Sequence, residues 1–96
     1  MTGYEMLAGN RDEILLIAAE HGARNVRVFG SAARGEAMEA SDLDLLIEME
    51  PGRSLLDIAA LRNDLMDLLG REVDVVTEDG LYWLLRRKLL REARPL

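Results

Sequence analysis

Val28-Phe29-Gly30-Ser31-Ala32-Ala33-Arg34-Gly35, followed after five residues by Ser41-Asp42-Leu43-Asp44-Leu45-Leu46, is the stretch on which the reading of this chain turns. An apolar run stops at a Gly-Ser pair, a polar loop intervenes, and two aspartates one residue apart open a second apolar run. The β-branched content and alternation of Val26 to Phe29 predict a short strand ended by Gly30. Leu43 to Met49 predicts a second strand, closed by the Pro51-Gly52 turn. On such a strand, side chains two apart share a face, so Asp42 and Asp44 project together and Leu43 projects the other way. Ser41 to Asp44 also fits the start of a helix, with Ser41 as N-cap and Asp44 near the positive end of the dipole. The apolar run Leu43, Leu45, Leu46, Ile47 does not choose between the two by periodicity.

Outward from this stretch the pattern is mostly helical. Apolar residues at Met6, Leu7, Ile14, Leu15, Ile17 and Ala18 predict a helix from about Tyr4 to Glu20, with a break near Gly9 and a stop at Gly22. Leu55 to Leu69 predicts the most regular helix, with Ser54 as N-cap and Gly70 as C-cap. Glu72 to Val76 reads as a third strand, Asp79-Gly80 as a turn, and Leu81 to Ala93 as a last amphipathic helix with Pro95 beyond it. The order helix, strand, strand, helix, strand, helix predicts an α/β (α+β) fold, a small mixed β-sheet flanked by helices.

The chain of 96 residues, nearly half apolar, is expected to form one domain over residues 1–96, too small for a second core. No apolar stretch approaches the ~20 residues that span a bilayer, and the start lacks a basic segment followed by an apolar one, so no membrane association and a cytoplasmic location are expected. There is no cysteine, so any metal must be held by oxygen or by His21, the single histidine. The net charge of −6 argues against coating of nucleic acid. Arg86, Arg87, Lys88, Arg91 and Arg94 nevertheless give the last segment a basic character against the acidic remainder.

The carboxylates carry the candidate chemistry. Two held side by side repel by several kcal/mol at an effective dielectric of about 20, and either share a proton or bind a cation. Oxygen ligands suit Mg²⁺ or Mn²⁺. Asp74, inside the β-type run Val73 to Val76, is either a solvent-facing edge residue or, if its strand lies beside that of Asp42 and Asp44, the third member of a cluster. Three such acids can hold two divalent cations about 3.5 to 4 Å apart for phosphoryl transfer. Gly30 lets backbone approach a ligand closely, the turn opened by Ser31 offers free N–H groups to phosphate, and Arg34 adds a forked cation.

Taken together, GSAARG, SDLDLL and EVDVV resemble the nucleotidyltransferase superfamily of the DNA polymerase beta type, over about Val26 to Val76 and more loosely to Pro95. The short chain resembles the minimal nucleotidyltransferases of prokaryotes, commonly partnered with a helical HEPN protein. The resemblance implies the polymerase beta-like fold and Mg²⁺-dependent transfer of AMP from ATP to a tyrosine hydroxyl of a HEPN toxin, with the chain as antitoxin in a hetero-oligomer. It implies that Gly30 and Ser31 hold the triphosphate, with Arg34 in support, that Asp42 and Asp44 coordinate two metal ions, and that Asp74 binds the metal near the acceptor and helps deprotonate it. One alternative is a non-catalytic antitoxin that neutralises its HEPN partner by occlusion. Another is transfer to a small molecule or a nucleic-acid end, disfavoured by the lack of a second domain.

The remaining conspicuous side chains read as structural. His21 is expected at a helix end beside the last carbonyls, Tyr82 and Trp83 in packing, Arg86-Arg87-Lys88 on a solvated face, and the acids between Leu56 and Asp67 on the wet side of a helix.

Overall fold

The computed structural model describes residues 3–33, 43–80 and 83–96. Helices α1 (Gly3–Gly9) and α2 (Arg11–Glu20) are separated at Asn10, where the sequence predicts a break. The Asn10 amide donates to the Met6 carbonyl at 2.8 Å and its own carbonyl accepts from the Ile14 N–H at 2.9 Å, so one residue closes one helix and opens the next. Strand β1 (Ala23–Phe29) leads into the short helix α3 (Gly30–Ala33); β2 (Leu43–Met49), α4 (Leu55–Leu69), β3 (Val73–Thr77), α5 (Trp83–Glu92) and β4 (Arg94–Pro95) follow.

Helix α4 begins and ends where its caps dictate. Ser54 accepts the Leu56 N–H, Asp57 reaches back to the Ser54 N–H at 2.9 Å, and Gly70 (φ +66°) closes the helix with its N–H on the Met66 carbonyl. This helix is the crossover that lets β3 lie parallel to β2, since parallel neighbours cannot be joined by a tight turn. The sheet order is β3-β2-β1-β4, with β1 antiparallel to both β2 and β4.

One face of the sheet carries the core. Val26, Val28, Leu43, Leu45, Ile47 and Val73 pack with Ile14 and Ala18 of α2 and with Leu61, Leu65 and Leu69 of α4. Alternation then sends Asp44, Leu46 and Glu48 of β2, with Asp74 of β3, to the opposite face. Leu46 is fully buried on that face, so it is not simply bare to water.

Three features depart from the sequence expectation. Strand β1 starts at Ala23 rather than Val26, because a register shift between Arg24 and Arg27, with Asn25 at φ +51°, breaks the alternation that would reveal it. Strand β4 pairs Arg94 with Val28 and Pro95 with Arg27 where only a chain end was expected. Two residues are too few to show a period, and proline is accommodated because β4 is an edge strand. Finally, His21 Nε2 lies 2.6 Å from Asp64 Oδ2, so the imidazole joins α2 to α4 while its backbone N–H caps the α2 carbonyls.

Candidate active site

Asp44 and Asp74 are direct partners in the parallel β2–β3 register. They stand on one face of adjacent strands, whose spacing is about 4.8 Å. This register removes the alternative of a helix beginning at Ser41, since residues 43–49 form a strand whose Asp44, Leu45 and Leu46 are paired on both sides. Asp44 is half-buried, whereas Asp74 is exposed on the edge strand, where it faces solvent and stands in register with Asp44. The start of β3 is held by Arg62 of α4, which donates to the Val73 carbonyl at 2.8 Å and pairs with Glu72 at 3.0 Å.

On the other side of Asp44 its partner is Phe29, and the chain turns at the next residue, Gly30, with φ +70°. A Cβ at Gly30 would lie 2.6 Å from Asp44 Oδ2, so the absent side chain is what lets the turn meet the carboxylate. The structure therefore brings Gly30, Asp44 and Asp74 into one corner. Ser31 follows as the second residue of α3, which realises the expected short turn. Asp42 and Arg34 lie outside the described residues, and among the described residues no group of three acidic or imidazole side chains gathers here.

Two carboxylates about 5 Å apart repel by roughly 3 kcal/mol at an effective dielectric of 20, and a cation between them reverses that sign. Their hard oxygen donors, open on the Asp74 side, fit Mg²⁺. Further along the same face sits a second charged group that sequence reading missed. Arg27 is buried, donating from Nη1 to Glu78 at 2.9 Å and from Nε to the Asn25 carbonyl at 3.1 Å. The Arg27 hydrogen bond, then one with Glu48, holds the Glu78 carboxyl below its ordinary range. The signal available was the alternation Val26-Arg27-Val28, which places Arg27 opposite the core. A cavity of about 530 Å³ opens at the far ends of β2 and β3, near Met49, Leu55, Ile58 and Thr77, and contains none of the candidate residues. The two arginines lining it are already paired, Arg24 with Glu48 and Arg53 with Glu50.

Carboxylates on adjacent strands, met by a glycine turn, are suited to hold a divalent cation against a phosphate-bearing ligand. Residues 11–96 match the family model described as nucleotidyltransferase domain, and the chain belongs to that family. Protein adenylyltransferase MntA of Thermococcus cleftensis is 44 % identical over 71 residues, covering 74 % of this chain and 72 % of that one. A solved structure provisionally described as a minimal nucleotidyltransferase has TM-score 0.89 and 55 % identity, covering 100 % of this chain and 97 % of that one. A toxin-antitoxin MntA-HpeT structure has TM-score 0.75 at 19 % identity over 91 % of this chain and 71 % of that one, a likeness of fold. The fold of this nucleotidyltransferase-family chain thus matches that minimal nucleotidyltransferase structure, and among its described residues no helix is long and apolar enough to cross a membrane.

Proposed function

We propose that this chain, acting in the cytoplasm as a single domain, transfers AMP from ATP to a tyrosine hydroxyl of a HEPN-domain toxin and is thereby the antitoxin of that pair. The observation that carries this reading is the corner itself, with Asp44 and Asp74 in register and Gly30 against Asp44 Oδ2. A relative named protein adenylyltransferase and a fold neighbour that is a toxin-antitoxin complex support the acceptor class.

Gly30 and Ser31 receive the triphosphate, the former because its backbone can approach closely, and Arg34 supports the turn or a phosphate. Asp42 and Asp44 would hold Mg²⁺, with Asp74 completing the set for a second ion. Bound there, the metal supplies positive charge against the phosphate oxygens. Asp74 takes the proton from the acceptor hydroxyl, whose oxygen forms the new bond to the α-phosphorus as the α–β anhydride bond breaks and pyrophosphate leaves. The exposed edge position of Asp74 suits this role, because an acceptor carried by a second protein must reach it from outside the sheet.

The test is intact-mass spectrometry of the co-expressed HEPN partner after incubation with this protein, ATP and Mg²⁺, beside the Asp42→Asn/Asp44→Asn variant. A gain of one or more AMP units with the native chain alone is expected. An intact, neutralised complex with no mass gain would replace the reading by occlusion.

A further inference from the structure

Helix α3 contains four residues, too few to hold a helical turn in place without tertiary anchors. At one end Gly30 lies close against Asp44. The other end is held from the far terminus of the sequence: Arg94 Nη1 donates to the Ala33 carbonyl at 3.2 Å, and the Arg94 guanidinium carbon lies 4.5 Å from the centre of the Tyr4 ring on α1. Arg94 is itself placed by the β4 ladder, opposite Val28 and two residues from Gly30 in β1 numbering. A forked cation can stack on a ring and bond a carbonyl at once, which an ammonium cannot do as well. Its charge also sits at the carbonyl end of α3, where a cation is favoured.

We infer that Arg94, bridging Tyr4 and the Ala33 carbonyl, is the positioning residue for the Gly30-Ser31 turn, acting on nucleotide affinity through α3 without touching the nucleotide. This rests on the proposed role of that turn in holding ATP. Arg94 is exposed as a residue, so its replacement leaves the core filled.

The experiment is calorimetric titration of ATP with Mg²⁺ into the native chain and into Arg94→Ala, Arg94→Lys and Arg11→Ala, with a urea midpoint for each. Arg11→Ala is the control because Arg11 Nε donates to the Leu96 carbonyl at 2.7 Å, tying the same terminal segment down without touching α3. Arg94→Ala should weaken ATP about ten-fold, the effect of one charge-assisted hydrogen bond, with Arg94→Lys in between and Arg11→Ala near native. Native binding with an unchanged Kd in Arg94→Ala overturns the inference alone, as does an equal loss in Arg11→Ala, which would reduce the effect to fastening of the terminal segment. Should Arg94→Ala not fold, an unchanged Kd in Arg94→Lys has the same force. No binding of ATP by the native chain removes the nucleotide reading of the turn, and this inference with it.

Discussion

Replacing Gly30 by alanine adds a single carbon where two separate constraints meet, and their sizes can be told apart. The first is backbone: φ is +70°, a conformation that costs an L-residue about 1–2 kcal/mol. The second is contact: the new Cβ would stand 2.6 Å from Asp44 Oδ2, so the carboxylate must swing off its rotamer, for about 0.5–1.5 kcal/mol. Together they predict a loss of about 1.5–3.5 kcal/mol, or a melting temperature lower by ~6–28 °C for a chain of this size. A double-mutant cycle with Asp44→Ala, read by urea unfolding, separates the parts. Removing the carboxylate abolishes only the contact, so Gly30→Ala should cost about 0.5–1.5 kcal/mol less in that background. Whatever else Asp44 contributes cancels in the cycle. A coupling below ~0.3 kcal/mol, within ordinary additivity, would refute the claim that this carboxylate abuts the turn.

Three further outcomes follow from other contacts. Millimolar Mg²⁺ with ATP should raise the melting temperature of the native chain, by about 1.4 kcal/mol of stability at ten times Kd, and EDTA should reverse it; an equal rise in Asp44→Asn/Asp74→Asn would move the site elsewhere. Ser54→Ala should lower stability by about 1 kcal/mol through loss of the α4 capping box, and an unchanged urea midpoint would show the box to be idle. Because Arg27 depresses the Glu78 pKa, that pair's stabilisation is fully present above the ordinary value of 4.5 and fades as pH falls through the folded value. The stability gap between native and Glu78→Gln should therefore be flat near neutrality and shrink in acid; a gap that widens there contradicts the assignment.

How much of this was legible in the sequence depends on whether the determinant is local. Ser54 and Gly70 announce α4 because capping is a transaction between residues at most four apart, whereas the reciprocal bond of Asp57 was not read from the sequence. The break at Asn10 and the turn after Phe29 are local in the same way. Asp44 and Asp74 were legible as strand residues, but their meeting depends on a pairing across 30 positions that no local pattern encodes. The two-residue β4 carries no period at all, so the Arg94 contact with Ala33 was invisible. The bulge between Arg24 and Arg27 hid the first residues of β1. Arg27 itself could have been placed on the second face, though not its partner Glu78, which is 51 residues away.

The pairing of Asp44 with Asp74 has a consequence for error correction. In β3, Val73 points into the apolar core and Asp74 out of it, so sliding the strand by one residue would drive the carboxylate into the helix-covered side and turn Val73 outward. Burying an unpaired charge there costs several kcal/mol, a large share of what a domain this small has to spare. A misaligned β3 is therefore strongly disfavoured against the native register. The same apolar contacts that make the domain stable thus enforce the register that sets Asp44 beside Asp74.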